Sequence, residues 1–290
     1  MKLIAFDLDG TLLTRARIAR PDSQAAIGRL IDLGHAVALI SARPMRSVRQ
    51  IAASIDPRVR LLGALNGAEA YEAPERPLLE VLDGDRAIIP DGPRLLDVPL
   101  PEGAVRKALD CARDAGIHIS LYAAGAWFAL GERSYGAREA GVVGYDPVWI
   151  DAPSEDILRT THKVLLAAEA DVITGLRGVL GRRLEAPETD RGTPPPVVLT
   201  QSKPIYLELT HQQAGKDQAL DVFAALRGIA LSDTVAFGDG ENDAPMLRRA
   251  GLGIAMANGV EVAQAAADMV TLDRDEAAIV HGLRWAGFDV

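Results

Sequence analysis

The stretch IAFDLDGTLL, residues 4–13, sets Asp7 and Asp9 two residues apart at the end of an apolar run. Lys2 to Phe6 read as a short buried strand, so the paired carboxylates fall at its carboxyl end. The next segment decides the fold. RPDSQAAIGRLIDLG (20–34) reads as a helix, with Ala26, Ile27, Leu30 and Ile31 on one face and Gly34 placed to end it. HAVALISAR (35–43) is a second continuous apolar run, and it closes on Ser41. Strand, helix, strand, with both strands apolar throughout, is the pattern of a parallel sheet covered on both faces. A further helix in PMRSVRQIAASI (44–55) and a strand and turn in RLLGALNGAEAY (60–71) extend it.

The same rhythm returns near the other end of the chain. AGKDQALDVFAALRG (214–228), ENDAPMLRRAG (241–251) and GVEVAQAAAD (259–268) read as helices; DTVAFGD (233–239), LGIAMAN (252–258) and MVTL (269–272) read as strands. Between the two halves the pattern changes. Residues 72–101 are punctuated by proline and glycine and read as an irregular connection or hairpin followed by a linker. Helices are then expected in EGAVRKALDCARDAG (102–116) and ADVITGLRGVLG (170–181). Strands are expected around Ala124-Gly125, in HKVLLAAE (162–169), in PPVVLTQS (195–202) and in PIYLELTH (204–211). The expected architecture is a doubly wound, Rossmann-like α/β core built from residues 1–98 and 212–290, with an α+β module at 99–211 inserted into it.

Composition bounds the function. With 31 basic and 40 acidic residues the net charge is −9, which argues against a basic surface for nucleic acid or anionic membrane. A small molecule is the expected partner, and oligomeric state cannot be read. No apolar run approaches the roughly 18 residues that span a bilayer, and the N-terminus turns acidic too early for a signal peptide. Cys111 is the single cysteine, so no intrachain disulfide can form, and a cytoplasmic protein is expected. The five histidines lack the spacing of a zinc site and take structural roles by default.

Three apolar strands end in polar residues: Asp7, Asp9 and Thr11; Ser41; and Asp239, Asn242 and Asp243. In a parallel α/β sheet ligands bind beyond the carboxyl ends of the strands, so these groups converge on one crevice. Four carboxylates gathered there repel one another and call for a cation. Oxygen-only ligands favour a hard ion, and Mg²⁺ suits a shell shared by carboxylates, waters and a phosphate. A calcium loop fails on spacing, because its twelfth position falls on Ile18 or on Ala250 rather than on a glutamate. Beside such an ion one aspartate can attack phosphorus while another moves the proton, and Ser41 and Lys216 fit as donors to the phosphoryl oxygens.

FDLDGTLL, Ser41 in ISAR, Lys216 in AGKDQAL and FGDGENDAPML resemble, in order and spacing, the four motifs of the haloacid dehalogenase superfamily of phosphatases. LNGA (65–68) and IAMANG (254–259) resemble its Cof-type branch, in which a class IIB α+β cap is inserted between the second and third motifs. The resemblance implies that Asp7 is the nucleophile of an aspartyl-phosphate intermediate and Asp9 the general acid and base, with its backbone carbonyl on the metal. It implies Asp239 as a Mg²⁺ ligand and Asp243 as a further ligand or water-holder. It places Ser41 and Lys216 on the phosphate, with Thr11, Ala42 and Asn242 beside it. Small phosphomonoesters are the implied substrates, and a phosphomutase or a non-catalytic phosphometabolite sensor are the alternatives. Three positions depart from the usual motifs: Ala42 and Ala257 where glycine is common, and Asp217 after the motif lysine. Taken alone, Ser41 also suits a helix N-cap, Lys216 a solvated surface and Arg43 either substrate or a carboxylate partner. Arg182, Arg183, His118, Tyr122, Trp127 and Lys203 are candidates to touch the leaving group.

Overall fold

A computed structural model describes residues 1–74, 93–185 and 195–290. The first part of the chain carries β1 (Leu3–Phe6), α1 (Pro21–Asp32), β2 (Ala36–Ile40), α2 (Met45–Ile55), β3 (Leu61–Ala64), β4 (Glu69–Glu72) and β5 (Arg94–Asp97). The middle carries α3 (Glu102–Ala115), β6 (His118–Ala123), β7 (Ala126–Leu130), α4 (Arg133–Val143), β8 (Val148–Trp149), α5 (Glu155–Arg159), β9 (Thr161–Ala167), α6 (Ala170–Glu185), β10 (Val197–Lys203) and β11 (Tyr206–His211). The last part carries α7 (Lys216–Arg227), β12 (Thr234–Gly238), α8 (Ala244–Arg249), β13 (Leu252–Ala255), α9 (Glu261–Gln264), β14 (Met269–Val270) and α10 (Ala278–Trp285). The described residues form two compact units, one of residues 1–74, 93–97 and 215–290, the other of 98–185 and 195–214.

In the first unit the sheet order is β14-β13-β12-β1-β2-β3-β4-β5. It is parallel from β14 through β3; β4 pairs antiparallel with β3, and the edge strand β5 antiparallel with β4. The doubly wound α/β expectation holds, because the apolar strands are buried on both faces. Leu3, Ile4, Ala5 and Phe6 are wholly buried, and the Phe6 and Phe237 rings stack at 5.0 Å between β1 and β12. Register then sets the site. Phe6 lies opposite Leu39 on one side and Phe237 on the other, so Asp7 falls level with Ile40 and Gly238. Ser41 and Asp239 come one step later. Three strand ends therefore deliver their first polar residues to one edge of the sheet.

The second unit has a sheet in the order β10-β11-β9-β6-β7-β8. Alternation along its strands separates two faces. Ile119, Leu121, Val164, Leu166, Leu207 and Leu209 pack with Leu109, Ile173 and Leu180 of α3 and α6 in one apolar core. The opposite face carries His118, Ser120, Tyr122 and Lys163. There the Trp127 indole N–H donates to Ser120 Oγ at 2.8 Å, and Ser120 Oγ lies 2.9 Å from His118 Nε2. His118 Nδ1 lies 2.7 Å from the Glu132 carbonyl, which can only accept, so Nδ1 carries the proton and Nε2 accepts from Ser120. The neutral ring is thereby satisfied at both nitrogens.

Some elements escape the reading of the sequence. The helix expected over 259–268 contracts to the four residues of α9, and α4, β8, α5 and α10 are additional. α4 contains Gly136 and Gly141 and carries little apolar stripe; α10 is short and contains Gly282. Ile31 is only half-buried, unlike its neighbours on α1. Much of the irregular connection read over 72–101 lies outside the described residues.

Burial holds the His118 pKa below its ordinary value. Below the unfolded value of about 6.5 the unfolded chain takes up a proton that the folded ring refuses, so stability falls as pH drops. Urea unfolding of wild type and His118→Gln should show the wild-type advantage shrinking between about pH 6.5 and 5. A difference constant with pH would exclude a buried neutral histidine.

Candidate active site

The charged centre of the first unit is built on Lys216, the first residue of α7, which is 1% exposed. Its Nζ donates to Asp7 Oδ1 at 2.6 Å and to Asp243 Oδ1 at 2.5 Å. Read alone, Lys216 suited a solvated surface; the structure instead buries it. Such a cation survives burial only between anions. Burial by itself would lower its pKa, and the Asp243 and Asp7 carboxylates outweigh that and raise it. The helix start is held in place by close packing: Gly67 has φ +83°, and a Cβ there would lie 2.1 Å from the Gly215 carbonyl oxygen.

Asp243 also organises its own loop. Its Oδ2 accepts the backbone N–H groups of Asp239 at 3.0 Å and Gly240 at 2.8 Å, so both its oxygens are engaged. Asp239 accepts a hydrogen bond of 3.2 Å from Thr11 Oγ1, and Thr11 is buried. Gly10, at φ +92°, lets the first motif turn pass this carboxylate, because a Cβ there would sit 2.1 Å from Asp239 Oδ2. Asp7, Asp239 and Asp243 each offer one carboxylate oxygen, and these atoms all lie within 4.8 Å of one another.

Three carboxylates face a single ammonium, so the cluster is short of positive charge. Burial pushes Asp7 well above the usual carboxylate range, with the neighbouring carboxylates Asp243 and Asp239 adding to it against Lys216. Burial and Asp243 push Asp239 up to about 6. An oxygen-only donor set with this deficit fits a hard divalent cation.

Asp9 behaves differently from Asp7. Its side chain is 47% exposed against 5% for Asp7, and Arg43 grips it from two sides, Nε to Oδ2 at 2.6 Å and Nη2 to Oδ1 at 2.7 Å. The open question about Arg43 is answered for this conformation by the carboxylate partner. Ser41 is buried and does not cap α2, whose N-cap is Pro44; its Oγ accepts the Arg43 backbone N–H at 3.2 Å. Ala42 is half-buried beside it. Asn242 is exposed, and its amide donates to Asn66 Oδ1 at 2.8 Å. Asn258 was passed over in the sequence as part of IAMANG. It donates to the Gly10 carbonyl at 2.8 Å and accepts from the Arg274 N–H at 2.8 Å, bracing the first motif turn. Its position beside a strand end was the available signal.

Ala42 and Ala257 are absent from the residues with positive φ, so neither position demands glycine. Asp217 turns its carboxylate over Gly215, where an added Cβ would meet Asp217 Oδ1 at 2.2 Å. Within the second unit the leaving-group candidates do not converge. His118, Tyr122 and Trp127 are buried, whereas Arg182 and Arg183 are exposed on α6, across the sheet. Lys203 is exposed and lies 4.9 Å from the Tyr206 ring centroid.

A doubly wound sheet with an oxygen-donor cluster and a buried ammonium at its strand ends offers a donor set that fits a divalent cation. The chain matches the family described as haloacid dehalogenase-like hydrolase over residues 4–81 and 81–283. It is 28% identical over 312 residues to phosphatase YwpJ of Bacillus subtilis, covering 98% of this chain and 99% of the relative. It is 23% identical over 283 residues to 5-amino-6-(5-phospho-D-ribitylamino)uracil phosphatase YitU of the same organism, covering 97% and 96%. Among solved structures, a haloacid dehalogenase-like hydrolase from Bacteroides thetaiotaomicron superposes with TM-score 0.79 at 25% identity, covering 98% of this chain and 99% of that one. The chain therefore belongs to the haloacid dehalogenase-like hydrolases, in their Cof-type phosphatase branch.

Lys216→Met removes the cation that joins Asp7 to Asp243 and leaves buried carboxylates unpaired. Without divalent ions the variant should lose about 3–5 kcal/mol of unfolding free energy, the range for breaking one side of a buried pair. Urea denaturation measures it, and a loss below about 1 kcal/mol, as for an exposed pair, would contradict the buried triad.

Proposed function

We propose that this phosphoric monoester hydrolase is Mg²⁺-dependent and works through an aspartyl-phosphate on Asp7, with small phosphorylated metabolites, sugar phosphates among them, as substrates. The observation that carries the reading is the contrast between the two aspartates of the first motif. Asp7 is buried in the acidic cluster and hydrogen-bonded to Lys216; Asp9 stands half in solvent outside it. Equal residues in unequal surroundings take unequal chemical roles.

Lys216 engages Asp7 Oδ1, which leaves Oδ2 as the oxygen to attack phosphorus. As the Asp7 oxygen–phosphorus bond forms, the phosphorus–ester oxygen bond breaks, and the departing alkoxide takes the proton carried by Asp9. Water then attacks the acyl phosphate, gives a proton to Asp9, and releases inorganic phosphate and free Asp7. Ser41 and Lys216 are the donors proposed for the phosphoryl oxygens, with Thr11, Ala42 and Asn242 alongside. Asp7, Asp239 and the backbone carbonyl of Asp9 would hold the Mg²⁺, with Asp243, already engaged by three donors, at the edge of the set. When bound, the ion would supply the positive charge that keeps Asp7 ionised and offsets the negative charge of the phosphate. Residues 1–98 and 212–290 are assigned as the catalytic core and 99–211 as the cap.

YitU, by its name, acts on a phosphorylated ribityl compound. A comparably small primary phosphate ester is the substrate class proposed here. A phosphomutase would require a basic cluster in the second unit, and Arg182, Arg183 and Lys203 do not form one with His118, Tyr122 and Trp127.

Hydrolysis of p-nitrophenyl phosphate and a panel of sugar phosphates should require Mg²⁺ and cease on chelation. Asp7→Asn should lower kcat by at least about 10³-fold, as loss of a nucleophile does. Full turnover by Asp7→Asn, or by chelated wild type, would overturn the mechanism.

A further inference from the structure

Asp9 lies two residues from Asp7 in a turn crowded with carboxylates, yet its side chain is not among those that cluster. What holds it is Arg43. The guanidinium meets both carboxylate oxygens, at 2.6 and 2.7 Å, and a two-pronged contact of this kind fixes the plane of a carboxyl group as a single ammonium cannot. Arg43 is itself held: it is 7% exposed, its Nη1 donates to Ser47 Oγ at 3.1 Å, and its backbone N–H donates to Ser41 Oγ at 3.2 Å. The arginine is the buried partner, and the aspartate, standing half in solvent, is the exposed one.

The same loop thus places two groups at once. Because Ser41 Oγ accepts from the Arg43 N–H, its own hydroxyl proton is free to point elsewhere. Because Arg43 takes one edge of the Asp9 carboxyl group, the opposite lone pairs remain for a proton or a water. Resting on the assignment of Asp9 as the proton carrier, we propose that Arg43 is a positioning residue: it aims the Asp9 carboxyl group for protonation of the leaving alkoxide and holds it away from the Asp7 cluster.

A group that acts through proton transfer matters only where the leaving group needs a proton. A sugar or other alkyl phosphate releases a strongly basic alkoxide; 2,4-dinitrophenyl phosphate releases a phenolate stable as the anion. kcat/KM reports the steps up to departure of the alcohol, which is the step in question. The test compares kcat/KM for both esters in wild type, Arg43→Lys, Arg43→Gln, Asp9→Asn and the double variant Arg43→Gln/Asp9→Asn, with urea unfolding of each. Arg43→Gln should lower the alkyl-to-aryl ratio of kcat/KM by about 10–100-fold, within the range of general acid catalysis, and Arg43→Lys should recover it only in part. In the Asp9→Asn background the Arg43 change should have no further effect on that ratio. Equal losses on both esters would overturn the proposal, since they mark contact with the phosphoryl group or damage to the loop, as would an unchanged ratio. If Asp9→Asn itself leaves the ratio untouched, the role assigned to Asp9 fails; if only the Arg43 variants do, the fault lies with the positioning proposal.

Discussion

The buried ammonium of Lys216 between Asp7 and Asp243 is the interaction on which the site depends. Each charge costs several kcal/mol to remove from water, and mutual attraction offsets that only where geometry is close and the remaining lone pairs are used. Both conditions are met. The contacts are short, and the second oxygen of Asp243 accepts two backbone N–H groups from its own loop. The pair thereby joins α7 to the ends of β1 and β12, which are far apart in sequence. Gly67 allows the close approach of the Gly215 backbone that brings the lysine in.

That arrangement also explains why identical residues two positions apart differ. Asp7 ends β1 and inherits the strand's burial; its backbone N–H still pairs with the Phe237 carbonyl. Asp9 lies beyond the strand, where the chain turns through Gly10, and it leaves the sheet edge for solvent. Burial favours the neutral form of a carboxyl group unless positive charge is near, and for Asp7 the fold supplies one such charge, the Lys216 ammonium. Asp9 needs only one partner, and Arg43 supplies it. Local chain direction, rather than residue type, divides the labour.

How much of this was legible follows from what each signal encodes. The parallel core was readable because a strand buried on both faces must be apolar along nearly its whole length, as 36–40 and 235–238 are. The gathering of Asp7, Ser41 and Asp239 at one edge followed from topology alone. Partnership was not legible. Nothing in AGKDQAL distinguishes a buried lysine from a surface one, since the anions that permit burial lie 209 and 27 residues away. Likewise ISAR does not say whether Arg43 meets a substrate or Asp9. α4 was missed because it carries little apolar stripe, and α10 because its stripe spans only eight residues and is interrupted by Gly282. The motif departures at Ala42 and Ala257 put no strain on the backbone, which only φ reveals.

The second unit shows why ligand contacts are harder to read than a fold. Its most conspicuous residues in sequence, His118, Tyr122 and Trp127, are large and carry polar atoms, which made them candidates for ligand contact. In the structure the polar atoms of Trp127, Ser120, His118 and Glu132 satisfy one another in sequence, and Tyr122 donates to Glu139 at 3.1 Å. A polar group already paired in a buried network has little left to offer a ligand, because any new bond must first replace an existing one. The aromatic side chains of that face pack on one another, Tyr122 stacking on Trp127 at 6.0 Å between ring centroids. Which groups keep hydrogen-bonding capacity open is something a sequence does not mark.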